Sequence, residues 1–293
     1  MPALRGPGPT GVCLGLQGVP ILRYKREMND LASGDAPLLC NWEPGVGLAS
    51  LRPGQTYVFR VDLGPRQETD QLELLSEWPI LAAEEQARAS RFVRVRDGRR
   101  FVLCRGALRL ILAQLVQVPP QDITFRFGPG GKPELLAKTG QVDGLLPHFN
   151  VSHSHELALI ALCLGRELGV DIERRRSISQ ADRIVESYFT AVEQAQFLAL
   201  DEPGRDEAFI RGWTRKEAIL KAKGVGLAGL AAGYETMFGT EPLSGHFRLA
   251  SPLPRVQEWT LWEATPGEDY VAALAVADHS RGACFHPADE TGG

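Results

Sequence analysis

The stretch Gly169-Val170-Asp171-Ile172-Glu173 predicts a β-strand whose two faces differ in chemistry. Its β-branched residues alternate with its acids, so a strand would bury Val170 and Ile172 and turn both acids to the opposite face. Asp171 and Glu173 would then place two carboxylates side by side. A solvated strand edge carries the same pattern, so this stretch alone does not define a site.

A second stretch, Trp213-Thr214-Arg215-Lys216-Glu217-Ala218-Ile219-Leu220-Lys221, supplies a third carboxylate. On a helix, the spacing i, i+4, i+8 places Trp213, Glu217 and Lys221 along one stripe. A helix with this composition can also carry only surface ion pairs, which contribute little to stability. Three carboxylates nevertheless suit Mg²⁺, which prefers hard oxygen ligands and takes others from substrate phosphate. The predicted metal ligands are Asp171, Glu173 and Glu217.

Two further motifs lie upstream, Gly131-Lys132-Pro133-Glu134-Leu135 and Phe149-Asn150-Val151-Ser152-His153-Ser154. The four motifs, in this order over roughly ninety residues, resemble the signature of the 4′-phosphopantetheinyl transferases. The resemblance is to the long, pseudo-dimeric type that activates peptide and polyketide synthases. It implies an α+β fold of two similar α/β subdomains related by a pseudo-twofold axis, with the active site in the cleft between them.

The resemblance also implies a reaction. Enzymes of this family move 4′-phosphopantetheine from coenzyme A to a serine of an apo acyl or peptidyl carrier protein and release adenosine 3′,5′-bisphosphate. Mg²⁺ would bridge the pyrophosphate, while Lys216, Lys221 and His153 would offset the developing negative charge. Glu217, or a water molecule held by the metal, would accept the serine proton. The expected catalytic residues are Glu217, Lys221 and His153.

A local excess of positive charge precedes these motifs. Between Arg88 and Arg109 there are eight arginines and one acid, Asp97, in a chain of net charge −4. A solvated helix face and a nucleic-acid surface are both possible interpretations. The overall charge argues against nucleic acid, and the resemblance favours the phosphates of coenzyme A, to which guanidinium groups are well suited. We expect Arg88 and Arg100 to bind them.

The upstream motifs would complete the coenzyme site. A Gly-Gly-Lys-Pro turn lets the backbone approach a ligand, although a plain hairpin with a surface lysine has the same sequence. We reject a Ser-His nucleophile pair, because adjacent residues on an extended segment point to opposite sides. The resemblance implies instead that both residues contact phosphate. The expected coenzyme-binding residues are Arg88, Arg100, Lys132, Ser152, His153, Lys216 and Lys221.

The chain divides into four predicted segments. Residues 1–51, rich in Gly and Pro, form a loose extension; residues 52–164 form an N-terminal subdomain that binds the coenzyme phosphates. Residues 165–281 form a C-terminal subdomain with the metal and the catalytic residues, and residues 282–293 form a tail. Leu157–Leu164 and Leu168–Ile172 are predicted to be neighbouring strands of a hairpin, and a long helix is predicted from Glu207 to Lys223.

The remaining expectations concern location and partners. Five cysteines without a C-x-x-C pair favour reduced thiols in a cytoplasmic protein. No apolar run approaches the length of a membrane span, and we expect neither a membrane nor a nucleic-acid partner. The double length suggests a monomer.

Three consecutive arginines follow the first acidic motif, Arg174, Arg175 and Arg176. They could balance nearby charge or dock an acidic carrier protein. The alternative function is a non-catalytic module that binds coenzyme A or a carrier protein.

Overall fold

The computed structural model describes residues 25–26, 37–41, 54–64, 80–136, 145, 147–226, 229, 235–236, 238–241 and 259–278. The chain divides into two compact units: unit 1 comprises residues 1–128 and 132–165, and unit 2 comprises residues 129–131 and 166–293. Each unit combines a β-sheet with a helix of 22 residues that packs on it. The two halves are therefore similar in architecture, as the predicted α+β fold requires.

Unit 1 is built on a five-stranded sheet of order β1-β2-β3-β7-β6, in which β2 and β3 are parallel and the other pairs antiparallel. A separate hairpin joins β4 to β5. The described elements are β1 Lys25–Arg26, β2 Leu38–Asn41, β3 Thr56–Asp62, α1 Ala83–Ala89, α2 Val95–Val116, β4 Phe125–Phe127, β5 Pro133–Leu135, β6 Pro147–Ser154 and β7 Leu157–Leu164, with a 3₁₀ turn at Pro120–Asp122.

The core of unit 1 lies between this sheet and α2. Strand β3 contributes Phe59 and Val61 to the same buried cluster as Leu108 and Ile111 of the helix. Burial of each such side chain contributes about 1.5–3 kcal/mol relative to exposure. This packing stabilises the middle of the helix, whose buried residues run mainly from Leu103 to Ala113.

Two described strands, β1 and β2, fall within the predicted loose extension. Residues 38–41 form β2, which pairs with β3 along its length, and Cys40 is 1% exposed in the core. Residues 38–41 are therefore part of the sheet of unit 1, within the segment 1–51 for which the sequence predicts a loose extension. The run Pro37-Leu38-Leu39-Cys40 has no alternation and no β-branched residue, so its sequence does not indicate a strand.

Unit 2 contains a three-stranded antiparallel sheet of order β8-β10-β9. Strand β8 pairs with β10 rather than with β7, which lies between β3 and β6, so the predicted hairpin of β7 and β8 is wrong. The segment around Gly165 instead connects two different sheets. The described elements are β8 Leu168–Arg174, α3 Ala181–Tyr188, α4 Ala191–Leu198, α5 Glu202–Lys223, β9 Trp259–Ala264 and β10 Tyr270–Ala277.

Helix α5 begins earlier than its sequence predicts. It starts at Glu202 rather than Glu207, because Pro203 occupies the first turn, where its missing N–H costs no hydrogen bond. It ends as predicted at Lys223, and Gly224 adopts the left-handed conformation with φ 64°. Both ends are thus fixed by local sequence.

Small residues bring α5 very close to the sheet. A Cβ atom built on Gly169 would lie 2.2 Å from both the carbonyl oxygen of Ala218 and the backbone nitrogen of Ala222. Ala273 and Ala275 of β10, which are fully buried, extend the same surface. The helix therefore packs on the side of β8 to which the acids point.

Replacing Gly169 by Ala should lower the free energy of unfolding by about 1–3 kcal/mol, because backbone atoms of α5 cannot move aside locally. Gly239→Ala is the matched control, since nothing lies within 4 Å of a Cβ atom there. Urea unfolding of both variants would measure the difference. Equal stability of the two variants would contradict the close approach of strand and helix.

Candidate functional site

The centre of the site is a buried contact between β8 and α5. Val170 and Ile172 are each 1% exposed on one face of β8, while Asp171 on the other face is only 3% exposed. The Lys221 Nζ atom donates a hydrogen bond to Asp171 Oδ1 at 2.5 Å. Asp171 is therefore not part of a solvated strand face, which was the alternative interpretation of this motif.

Glu217 belongs to the same cluster. It lies one turn before Lys221 on α5, and its pKa is raised above the ordinary value, first by burial and then by the charge of Asp171. Lys221 opposes this shift and Glu173 adds to it. The three predicted metal ligands and Lys221 thus act on one another electrostatically. We call Asp171, Glu173, Glu217 and Lys221 the acid cluster.

The acid cluster fits Mg²⁺ in its donor atoms and in its charge. Its three carboxylates offer hard oxygen ligands, and with one lysine they leave an excess of negative charge that a divalent cation would neutralise. Among the described residues, no three Asp, Glu, His or Cys side chains are arranged as a ready metal site. Lys221 is the cation that contacts Asp171.

Lys216 has a different environment from the one we predicted. Its side chain is 2% exposed, and its Nζ atom lies 2.6 Å from Glu193 Oε2 and 4.1 Å from the ring centroid of Phe189. Burial lowers the pKa of Lys216, against the opposing effect of Glu193. A lysine that is buried in this way does not present its charge to a ligand, so this placement argues against the predicted phosphate contact.

The partner of Lys216 is a residue that the sequence analysis missed. Glu193 is 1% exposed and accepts hydrogen bonds from Thr190 N–H (2.8 Å) and from the backbone N–H and hydroxyl of Thr236 (both 2.7 Å). Thr190 and Glu193 form a capping box at the start of α4. The Thr-x-x-Glu spacing is the signal that could have identified it.

Two arginines fix α5 to β9. Arg211 Nη1 lies 3.2 Å from Glu263 Oε2 and Arg215 Nε lies 2.8 Å from Glu263 Oε1, with Arg215 and Glu263 almost fully buried. Arg175, from the triplet considered for carrier docking, donates to Glu207 (2.9 Å) and to two backbone carbonyls. Arg175 therefore links α5 to the segment that precedes β10 and to the start of β10.

In unit 1, Ser152 and His153 lie on opposite faces of β6. Ser152 is 6% exposed, whereas His153 is exposed to solvent. This arrangement is the one expected for adjacent strand residues, and it argues against a Ser-His nucleophile pair. Lys132 lies at the turn between β4 and β5, which is closed by a hydrogen bond from Gly128 N–H to the carbonyl of Lys132 (3.0 Å).

The arginine-rich segment divides into two groups. Arg88 is exposed on α1, with its guanidinium carbon 5.1 Å from the ring centroid of Phe101. Arg100 is half-buried on α2, with Nη2 3.7 Å from Glu156 Oε1. Arg105 and Arg109 instead bind a buried carboxylate and are therefore structural. Of the predicted residues, unit 1 contains Arg88, Arg100, Lys132, Ser152 and His153.

Both units match family models of known proteins. Residues 68–164 match a 4′-phosphopantetheinyl transferase N-terminal model, and residues 167–275 match the 4′-phosphopantetheinyl transferase superfamily. The 4′-phosphopantetheinyl transferase HetI of Nostoc sp. is 34% identical over 236 residues, which cover 80% of this chain and 93% of the relative.

Two further relatives come from distant organisms. The 4′-phosphopantetheinyl transferase psf-1 of Bacillus pumilus is 30% identical over 174 residues, covering 58% of this chain and 70% of the relative. The human L-aminoadipate-semialdehyde dehydrogenase-phosphopantetheinyl transferase is 28% identical over 221 residues, which cover 69% of this chain and 70% of the relative. The two units match the N-terminal and the superfamily models of this family, and their architecture is that of a two-unit α+β fold. The chain belongs to the 4′-phosphopantetheinyl transferase superfamily and is of its long type.

Replacing Glu217 by Gln should stabilise the metal-free protein, and the gain should be larger at about pH 7.5 than at about pH 5. The pKa of Glu217 is higher in the folded protein than in the unfolded chain. Its contribution to stability is therefore fully present below the unfolded pKa and is lost as pH rises through the folded pKa. Glutamine resembles the protonated acid and avoids this loss.

Chemical unfolding in the presence of a chelator would measure the effect at both pH values. Glu268→Gln, which removes an exposed carboxylate between β9 and β10, is the reference variant. If Glu217→Gln raises the free energy of unfolding less at about pH 7.5 than at about pH 5, the ionised carboxylate of Glu217 is not destabilised by its surroundings.

Proposed function

We propose that this protein transfers the 4′-phosphopantetheine group of coenzyme A to a serine of an apo acyl or peptidyl carrier protein. Adenosine 3′,5′-bisphosphate is the second product. The observation that carries the proposal is the acid cluster, in which Asp171, Glu217 and Lys221 meet within a chain of this family. Family membership supports coenzyme A and a carrier protein as the substrates. The acid cluster supports a metal-assisted transfer of a substituted phosphate group.

In this proposal, Asp171, Glu173 and Glu217 hold Mg²⁺. When bound, the ion would neutralise negative charge on the pyrophosphate. The acids are well suited to hold it, because Asp171 is fixed in a buried strand and Glu217 extends from a helix packed against that strand. The strand and the helix fix the backbone positions of these acids, and rotation of their side chains would bring the three carboxylates to one ion.

Lys221 stabilises the charge that develops during transfer. Its side chain is 30% exposed, so it reaches solvent while its Nζ atom contacts Asp171. It can therefore contact a phosphate oxygen of the substrate, unlike the buried Lys216. Lys216 instead positions α5 through Glu193, and its effect on the reaction is indirect.

Glu217 is suited to accept the proton of the serine hydroxyl. In this proposal its carboxylate, which lies on α5 one turn before Lys221, takes that proton. Loss of this proton allows the serine oxygen to attack the β-phosphorus of coenzyme A, and the bond to the nucleotide phosphate breaks.

Arg88, Arg100 and Lys132 bind the phosphates of coenzyme A in this proposal. Arg88 and Arg100 lie on adjacent helices and can form paired N–H contacts with phosphate oxygens. Ser152 and His153 add a hydroxyl and an imidazole from β6, and His153 is the exposed member of the pair. We also propose that the protein acts as a monomer in the cytoplasm.

No described helix combines the length and the apolar character that crossing a membrane requires. Cys40, Cys104 and Cys163 are buried, and burial raises the pKa of Cys104 to about 12. The thiol of Cys104 is therefore a poor nucleophile, as expected for a structural cysteine.

Asp171→Ala and Glu217→Ala should each reduce transfer at least about 100-fold, because the site loses charge stabilisation in the transition state. The assay incubates a panel of apo carrier proteins with coenzyme A and Mg²⁺ and follows the mass increase of one phosphopantetheine group. Glu268→Ala is the control, and circular dichroism checks that each variant is folded.

Two outcomes would contradict the proposal. Activity retained in Asp171→Ala or Glu217→Ala would exclude the assigned roles. Absence of transfer to every carrier by the wild-type protein would favour a non-catalytic module that binds coenzyme A or a carrier protein.

Mg²⁺ should stabilise the wild-type protein by about 2.7 kcal/mol at one hundred times its Kd, because it binds only the folded state. The increase in Tm should disappear in Asp171→Asn and persist in Glu268→Gln. Differential scanning calorimetry with Mg²⁺ or with a chelator would measure both shifts. A shift of the same size in Asp171→Asn would place the bound cation elsewhere.

A further inference from the structure

Glu85 lies at the centre of a buried ionic cluster in unit 1. It is 6% exposed on α1, and both of its carboxylate oxygens accept hydrogen bonds from arginines of α2. Arg105 Nε donates to Oε1, and Arg109 Nε donates to Oε2 at 2.5 Å. Oε2 also accepts the backbone N–H of Ala82 (3.0 Å) at the start of α1. One carboxylate therefore joins two helices.

The same cluster extends to the segment that follows α2. Arg109, which is 1% exposed, donates from Nη1 to the carbonyl oxygens of Pro120 (2.6 Å) and Ile123 (3.0 Å). The guanidinium carbons of Arg105 and Arg109 lie 4.1 and 5.3 Å from the ring centroid of Phe125 in β4. Both arginines are thus held from several sides, and their positions are fixed.

Glu85 remains ionised in this environment. Burial raises the pKa of Glu85, but hydrogen bonds from Arg109 and Arg105 outweigh burial and bring the pKa below its ordinary value. Without this carboxylate, two guanidinium groups would face each other in a buried place with no negative charge between them. The arrangement of α1 on α2 therefore depends on Glu85.

Helix α1 has little stability of its own. It contains seven residues, and a helix of that length is marginal in water without tertiary contacts. Arg88 follows Glu85 by one turn on α1, and its guanidinium group lies over the ring of Phe101, the residue after Arg100 in α2. A movement of α1 relative to α2 would therefore change the position of Arg88 relative to Arg100.

We propose that Glu85 is a positioning residue for coenzyme A binding, because it fixes α1 on α2 so that Arg88 and Arg100 act on one anionic ligand together. The inference rests on the proposed function of these two arginines. Glu85 touches no substrate in this account and acts only through the helices. Its carboxylate is also a negative charge close to a site for phosphate.

The positioning role of Glu85 and its negative charge predict opposite effects of Glu85→Gln on the binding of coenzyme A. If only charge mattered, loss of a carboxylate would strengthen the binding of a phosphate ligand. If positioning matters, the amide cannot hold two guanidinium groups, α1 shifts, and binding weakens. We expect the affinity for coenzyme A, measured by isothermal titration calorimetry with Mg²⁺, to fall about tenfold, or about 1.4 kcal/mol.

Three further measurements separate positioning from general destabilisation. Glu84→Gln is the matched control, because it removes an exposed acid from the same helix. Glu85→Asp keeps the charge but shortens the side chain, and it should weaken binding as well. In Glu85→Gln, kcat at saturating coenzyme A and the KM for the carrier should stay within about twofold of wild type, since the acid cluster is unchanged.

A double-mutant cycle tests whether Glu85 acts through Arg88. Arg88→Ala combined with Glu85→Gln should bind coenzyme A no more weakly than Arg88→Ala alone. Additive losses, or wild-type affinity in folded Glu85→Gln or Glu85→Asp, would overturn the inference while leaving the proposed function intact. If the wild-type protein does not bind coenzyme A, the proposed function fails, and this inference fails with it.

Discussion

The contact between β8 and α5 is the constraint on which the candidate site depends. Gly169 allows backbone to meet backbone, and this close approach covers Asp171 with the helix that carries Glu217 and Lys221. A larger residue at position 169 would push strand and helix apart and weaken the contact that buries Asp171. The geometry of the acid cluster thus depends on the missing side chain of Gly169.

Ion pairs hold α5 against three different parts of unit 2. Arg215 contacts Glu263 on β9, Lys216 contacts Glu193 on α4, and Lys221 contacts Asp171 on β8. Two of these pairs are almost fully buried, where loss of one partner is far more costly than at the surface. The motif Trp213 to Lys221 therefore combines residues that fix the helix with residues that serve the site.

Much of this arrangement could be predicted from sequence, because it follows from local periodicity. The alternation of Val170 and Ile172 with the acids indicates the strand and its two faces, and the four-residue spacing from Glu217 to Lys221 indicates the helix. Pairing between strands could not be predicted in the same way. Strands β7 and β8 are consecutive in the chain but belong to different sheets, because β8 finds its partner in β10, about a hundred residues later.

The roles of charged residues were the least predictable feature, because a sequence motif does not show which way a side chain points. Lys216 is adjacent to Glu217 in the motif, yet it turns toward Glu193. Arg105 and Arg109 contribute to the same positive excess as Arg88, yet they bind Glu85. Residues distant in sequence determine each of these outcomes.

The central claim is that Asp171, Glu173 and Glu217 bind one divalent cation. Anomalous diffraction from crystals grown with Mn²⁺ in place of Mg²⁺ and with coenzyme A would test it most directly. The account predicts one anomalous peak at about 2.1 Å from an oxygen atom of each carboxylate, with Lys221 released from Asp171 toward a phosphate. A peak elsewhere in the chain, or a metal without Glu217 among its ligands, would contradict it.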